Sequence, residues 1–118
     1  MRLSSFLDAL RGLVFLLRTE RNARVHALAT IVVVALGLVL GVDANAWCWL
    51  VLSTALVWIT EALNTAIERL ADRVTAERNP LIRQAKDVAA GAVLLSAGSA
   101  VVIGVLVLGP PLRRWLRA

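Results

Sequence analysis

The chain has 118 residues, of which 59% are hydrophobic, and a formal net charge of +5. A soluble domain of this length is usually about 45–50% apolar, so the composition excludes an ordinary soluble protein and indicates a small membrane protein. The basic balance does not point to nucleic acid, because the cations cluster beside long apolar stretches, and we expect no nucleic-acid partner.

The first predicted element is an amphipathic surface helix over about residues 3–19. Its apolar residues recur at helical spacing. They are Leu3, Phe6, Leu7, Leu10, Leu13, Val14 and Leu17. Polar side chains such as Asp8 and Arg11 occupy the other side, as in helices that lie in a membrane interface. Packing on the other helices as a lid is a compatible alternative. Asn22 and the nearby charges mark a bend before the next element.

Three stretches with almost no charge follow, each long enough to cross a hydrocarbon core of about 30 Å. They predict transmembrane spans over about residues 25–42, 46–70 and 84–109. The second helix should continue past Asp72, and Asn79-Pro80 should break the chain before the third helix. We predict that this third helix begins near Leu81 and ends at Gly109-Pro110-Pro111. The fold class is therefore an all-α integral membrane protein, with one domain over 1–118.

The cations predict the orientation of the chain in the membrane. Ten of them lie in two groups, before the first span and between the second and third. They are Arg2, Arg11, Arg18, Arg21, Arg24, Arg69, Arg73, Arg78, Arg83 and Lys86. The turn between the first two spans has none, so the positive-inside bias places the N-terminus and the second loop in the cytoplasm. The tail cations, including Arg113, oppose this assignment, but the earlier segments dominate orientation.

Small residues crowd the start of the third span, including Ala89, Gly91 and Gly98. Helices in lipid associate by close approach at such residues. Because three spans make a thin bundle, this surface predicts a homo-oligomer.

Two carboxylates near the end of the second span are the strongest functional signal. Glu61 and Glu68 are seven residues apart and project from one helix face, with Asn64 and Thr65 within about 60° of it. An ionisable side chain at membrane depth costs roughly 2.5–3.5 kcal/mol on insertion scales, so the pair needs a compensating partner. A bound cation is one candidate. Salt bridges to Arg21, Arg24 or Arg69 that hold the bundle together are the structural alternative.

Further charges on the same side of the membrane extend this signal. Glu20 lies just before the first span, and Lys86-Asp87 opens the third. Oxygen ligands at this density suit Mg²⁺, which binds one or two carboxylates together with substrate phosphates. Lys86 is the one lysine among thirteen cations, and a compact ammonium suits a phosphate. With neither a P-loop nor a kinase Gly-rich motif in the sequence, the pattern suggests a nucleotide–Mg²⁺ site facing a lipid-embedded acceptor.

Several of these segments resemble the prokaryotic diacylglycerol kinase family of integral-membrane lipid kinases. The segments that carry the resemblance are Arg11-Gly12, Thr19-Glu20-Arg21-Asn22, Glu61-Ala62-Leu63-Asn64-Thr65-Ala66-Ile67-Glu68, Asp72, Ala85-Lys86-Asp87 and Ala89-Ala90-Gly91-Ala92-Val93. The combination of E-x-x-N-x-A-x-E with a downstream A-K-D is highly specific, and the similarity covers nearly the whole chain.

The resemblance implies an ATP- and Mg²⁺-dependent kinase that phosphorylates the hydroxyl of a lipid alcohol. Glu61 would be the general base and, with Ala90, would contact the lipid. Glu20 and Glu68 would hold Mg²⁺. The residues that would bind ATP are Glu20, Asn64, Glu68, Glu77, Lys86 and Asp87. The family implies a homotrimer with active sites shared between subunits, in the bacterial cytoplasmic (inner) membrane, with the active site cytoplasmic.

The acceptor lipid stays open between undecaprenol and diacylglycerol. Thr19-Glu20-Arg21-Asn22 followed by His26 is more similar to the undecaprenol kinase subtype. Asp8, Ala23 and the proline-arginine tail depart from that pattern. The rival hypothesis from another class is a non-catalytic membrane transporter or assembly subunit whose carboxylates bind a cation. A carrier would place its ionisable groups near the midplane, which favours the kinase.

Overall fold

The computed structural model describes residues 2–75 and 77–118, and this part of the chain forms four α-helices. They are α1 (Leu3–Thr19), α2 (Arg21–Leu40), α3 (Ala44–Val74) and α4 (Pro80–Arg117). Helices α3 and α4 pack most extensively, α2 lies against both, and α1 contacts α2 and α3. Three of the four, α2, α3 and α4, are long and apolar enough to cross a membrane. The predicted all-α class with three such helices is confirmed.

A single extended residue separates α1 from α2. Glu20 has φ −107° and ψ 118°, and α2 begins directly after it, so the bend lies two residues before the predicted Asn22. The Arg24 guanidinium donates hydrogen bonds to the carbonyls of Leu17 and Arg18, which α1 leaves unpaired at its C-terminus. This contact fixes the angle between α1 and α2 and places Glu20 in the corner.

The turn between α2 and α3 is short because two side chains suit it. Gly41 ends α2 with φ 62°, a left-handed conformation that glycine adopts without steric cost. The Asp43 carboxylate then accepts a hydrogen bond of 2.9 Å from the Ala46 amide and caps α3. Behind the turn, Gly37 lies against the Trp47 indole so closely that a Cβ at position 37 would be 2.5 Å from the ring.

Helix α4 begins at Pro80, close to the predicted start, but it continues through Pro110 and Pro111, where we predicted its end. The Asn79 carboxamide oxygen accepts hydrogen bonds from the amides of Leu81 and Ile82, and Pro80 occupies the first helical position. The predicted end at Gly109-Pro110-Pro111 is wrong, because α4 runs through both prolines to Arg117. Proline fixes φ near its helical value. The loss of its amide donor and the crowding of the carbonyl four residues earlier are local costs, so the helix can continue beyond both prolines.

Few apolar residues of the chain are buried, and many large apolar side chains are exposed. Only a minority of residues in each long helix is buried. The buried apolar residues are Leu16, Ala23, Leu50, Val57, Ala71, Ala89 and Leu108. The apolar side of α1 is likewise exposed except at Leu16, as a helix in a lipid interface requires. Lipid or further copies of the chain must therefore cover these surfaces.

Candidate active site

The buried polar residues described are concentrated in the second half of α3. Glu61 is 1% exposed, Thr65 is 5% exposed and Asn64 is 8% exposed. Glu68, one turn further along the same face, is half-buried. The predicted polar face of α3, called the stripe from here on (Glu61, Asn64, Thr65 and Glu68), therefore faces the interior of the protein and not the lipid. It holds a carboxylate at one of the most buried positions described.

His26 of α2 is the closest basic group to Glu61. Its Nε2 atom lies 3.6 Å from the Glu61 Oε2 atom, a close polar contact slightly longer than a hydrogen bond. One turn away, the Trp58 indole donates a 3.0 Å hydrogen bond to the Thr30 hydroxyl, which itself donates to the His26 carbonyl at 2.7 Å. The contact between His26 and Glu61 and the bond from Trp58 to Thr30 both join α2 to α3, and together they set the register of the two helices at the level of Glu61.

Three buried oxygen atoms of this face have no hydrogen-bond partner among the described residues. They are Glu61 Oε2, Asn64 Oδ1 and Thr65 Oγ1. The Asn64 amide nitrogen donates weakly, at 3.4 Å, to Glu68 Oε1, which leaves the amide oxygen free. Because buried polar atoms are normally paired, a cluster of unpaired oxygens is an arrangement expected at a functional site.

The structure does not support the salt-bridge alternative for the stripe. Over the described part of the chain, neither Glu61 nor Glu68 has an arginine nitrogen within 4.0 Å. Arg69 instead lies 3.3 Å from Glu20 and over the ring of Phe15, at 5.0 Å from its centroid. The arginine that follows Glu68 in sequence therefore binds the corner between α1 and α2.

The donor set around the stripe fits a hard cation. Asn64 Oδ1 and Glu68 Oε1 are oxygens on adjacent turns, and Glu20 is half-buried with a carboxylate of the same kind. Among the residues described, no three His, Cys, Asp or Glu side chains form a ready-made metal cluster. Mg²⁺ that arrives with phosphates needs only one or two protein carboxylates, so this sparse oxygen set is compatible with it.

Lys86 lies near the loop that joins α3 to α4, beyond Glu68. Its ammonium contacts the Asp72 carboxylate at 2.5 Å, and Asp72 is one turn beyond Glu68 on α3. Both line a polar cavity of about 390 Å³ between the end of α3 and the start of α4. Glu77, Arg78 and Arg83 line it too. The structure thus brings together two of the predicted nucleotide residues, Lys86 and Glu77, beside two further arginines.

Two predicted site residues lie outside this arrangement. Asp87 is exposed, lies 3.8 Å from Arg83 and does not line the polar cavity. Ala90 is exposed on α4, whereas its neighbour Ala89 is buried and lines a groove with Asn64. We did not assign His26 to the site from the sequence. Two features could have indicated it: it is the one histidine of the chain, and it lies near the start of the first apolar stretch.

Comparison with known proteins identifies relatives of this chain. A family model described as prokaryotic diacylglycerol kinase matches residues 8–108. A diacylglycerol kinase of Synechocystis sp. is 40% identical over 111 residues, which cover 93% of this chain and 63% of the relative. An undecaprenol kinase of Bacillus subtilis is 39% identical over 108 residues, 92% of this chain and 88% of the relative. A diacylglycerol kinase of Escherichia coli is 37% identical over 83 residues, 70% of this chain and 68% of the relative.

Proposed function

Because the chain belongs to the prokaryotic diacylglycerol kinase family, we propose that it is a membrane lipid kinase. It transfers the γ-phosphoryl group of ATP to the hydroxyl of a lipid alcohol. The alcohol is undecaprenol or diacylglycerol, the two acceptors that the names of its relatives give. The product is undecaprenyl phosphate or phosphatidic acid. The observation that carries the proposal is the Glu61 carboxylate, which is buried and has no salt-bridging arginine among the described residues. It shares a helix face with the Asn64 and Glu68 oxygens, and a polar cavity lined by Lys86 lies further along α3.

Glu61 is proposed as the general base. The Glu61 carboxylate takes the proton of the acceptor hydroxyl as the acceptor oxygen attacks the γ-phosphorus. The new P–O bond forms as the bond between the γ-phosphorus and the β,γ-bridging oxygen breaks, and ADP leaves with that oxygen. Phosphoryl transfer requires little covalent chemistry from the protein, so alignment and charge neutralisation account for most of the remaining work.

Glu20 and Glu68 are proposed to hold Mg²⁺, with Asn64 orienting Glu68 through the amide contact described above. Bound there, Mg²⁺ would neutralise charge on the ATP phosphates. Arg69 holds Glu20 toward α3. The carboxylate at the corner between α1 and α2 is thereby kept near the stripe before any ligand binds.

The polar cavity between α3 and α4 is proposed to receive ATP. Lys86 would exchange its contact with Asp72 for the phosphates, and Glu77 would contact the nucleotide from the loop. Asp87 is proposed to reach the nucleotide only after releasing Arg83. Arg78 and Arg83 give the cavity a positive balance that favours a polyphosphate.

The position of Glu61 along α3 supports a site at the membrane boundary. Glu61 follows Ala44 by 17 residues, about 26 Å of helix, whereas the hydrocarbon core is about 30 Å thick. A lipid hydroxyl and a water-soluble nucleotide meet at such a boundary. The cation distribution supports a cytoplasmic position for this end of α3, and we propose a location in the bacterial inner membrane.

A homotrimer with active sites shared between subunits is also proposed. The exposed apolar faces of the spans and the small residues of α4 supply surface for helix association. Ala90, exposed on α4, would contact the lipid at such a shared site.

Transfer of radiolabelled phosphate from ATP by the purified protein in mixed micelles tests the proposal. Undecaprenol and diacylglycerol are compared under the same conditions. Magnesium-dependent labelling of either lipid is expected. Labelling of neither would favour the cation-binding transporter or assembly subunit instead.

A further inference from the structure

We infer that His26 is a positioning residue for Glu61. Its imidazole holds the Oε2 atom of the carboxylate, so that the Oε1 atom is the one presented to the acceptor hydroxyl. The inference rests on the proposed function, because it assigns His26 a part in the proton transfer proposed there. It concerns a residue outside the carboxylate, amide and lysine positions already assigned to the site.

In the described part of the chain, no other basic group is close enough to orient the Glu61 carboxylate. Among the described residues, His26 is the only basic side chain within 4.0 Å of the Glu61 carboxylate. The nearby arginines are engaged elsewhere, since Arg24 donates to α1 carbonyls and Arg69 binds Glu20. The Oε2 atom is buried and has no other polar partner in the part of the chain that the structure describes. A free carboxylate would lose orientation that a base of fixed geometry keeps.

The His26 backbone is held in place independently of Glu61. Thr30 donates its hydroxyl hydrogen to the His26 carbonyl and accepts the indole hydrogen of Trp58. Trp58 is one turn before Glu61 on α3. Neighbouring turns of α3 therefore hold both Glu61 and the indole that, through Thr30, fixes the His26 backbone. A small rotation of either side chain would shorten the 3.6 Å contact to a hydrogen bond, as contacts of catalytic groups often do when substrate binds.

The surroundings of the imidazole leave Glu61 as its main polar partner. Beyond Glu61, His26 lines a mostly apolar cavity of about 490 Å³ between α2 and α4. Val33 and Ala97 are part of its wall. In the neutral imidazole one ring nitrogen donates, and the contact with Oε2 selects Nε2–H as that donor. The carboxylate then keeps Oε1 for the incoming proton.

Substitutions at His26 test this role through kcat. His26→Leu, which keeps bulk but loses the donor, should lower kcat by up to about 100-fold, the effect of misplacing a reacting group by roughly 1 Å. The KM for ATP should not change, because the polar cavity is unaltered. His26→Gln retains an N–H donor of similar reach and should recover most of the loss. Val33→Ala, a change in the same cavity wall, serves as the matched control and should leave kcat unchanged.

The Glu61→Gln background separates positioning from a structural effect. If His26 acts through Glu61, adding His26→Leu to Glu61→Gln should cause no further loss of kcat. Full additivity of the two changes would overturn the inference. So would normal kcat in His26→Leu, an equal loss in the Gln and Leu variants, or an equal loss in Val33→Ala.

If His26→Leu does not form the native oligomer, His26→Asn replaces it, since the same amide on a shorter side chain cannot reach Oε2. The inference also fails separately from the proposed function. Wild-type protein that phosphorylates neither lipid refutes the function, whereas an active wild type, an inactive Glu61→Gln and unaffected His26 variants refute only the inference.

Discussion

Glu61→Gln is the most direct test of the proposed chemistry. The glutamine amide has the shape of the carboxyl group, which matters because the side chain is 1% exposed and its volume must be kept. The change would remove the proposed proton acceptor and leave the proposed metal site of Glu20, Asn64 and Glu68 in place. General-base catalysis contributes typically 10²–10⁴-fold, so kcat should fall by about that factor, roughly 2.7–5.5 kcal/mol of transition-state stabilisation.

We expect this fall in kcat to occur without any loss of folding stability. Among the described residues, Glu61 Oε2 is buried without a hydrogen-bond partner, and its only basic contact there is to His26 at 3.6 Å. A neutral amide costs less to bury than an ionised carboxylate in that position. Thermal stability of the oligomer should therefore be unchanged or higher. Glu61→Ala would be a poorer test, because an empty volume in the interior destabilises the protein by itself.

The assay measures initial rates with radiolabelled ATP at saturating lipid, together with the KM for ATP and thermal unfolding. Asp43→Asn is the matched control, since it makes the same chemical change on the same helix. Asp43 lies 18 residues from Glu61, about 27 Å along the helix, and asparagine also caps helices well. Its kcat should equal that of the wild type. A Glu61→Gln protein that turns over at a rate close to wild type would refute the assignment of the base.

Three further substitutions test other parts of the molecule. Lys86→Ala should raise the KM for ATP several-fold, since the polar cavity loses its ammonium; an unchanged KM would remove Lys86 from the nucleotide site. Glu68→Ala should shift the magnesium titration of the rate to higher concentration, and an unaltered titration would argue against metal ligation. Gly37→Ala should lower thermal stability, because its Cβ would be 2.5 Å from the Trp47 ring; overpacking of this kind costs typically 1–3 kcal/mol. Gly104→Ala, with open space around its Cβ position and outside the small-residue cluster at the start of α4, is the control for that change and should not reduce stability.

Local patterns were sufficient to predict most of the helices. The amphipathic spacing before Glu20 predicted α1, and uncharged stretches predicted α2, α3 and α4, because each signal lies within one continuous segment. The proline rule worked at Pro80 and failed at Pro110-Pro111. At Pro80 the preceding Asn79 also caps the new helix with its side chain. Gly109, which precedes Pro110, has no side chain that could cap a helix, so the predicted break there depended only on the backbone preference of proline.

The stripe on α3 was equally readable from sequence, since residues 61, 64, 65 and 68 share a helix face at any tertiary arrangement. Which residues on other helices meet that face was not. Salt bridges from Arg24 or Arg69 to Glu61 and Glu68 were reasonable from charge alone. The packing of α1 and α2 directs Arg24 to backbone carbonyls and Arg69 to Glu20 instead.

Spacing and charge thus establish a helical membrane protein with two carboxylates on one face, because both properties follow from the order of residues in a single helix. Only the packing of α2 against α3 places His26 beside Glu61, 35 positions away in sequence. That register depends on contacts between helices, including the hydrogen bond from Trp58 to Thr30. No periodicity within either helix encodes such a contact, so the partner of the buried carboxylate became visible only in the folded chain.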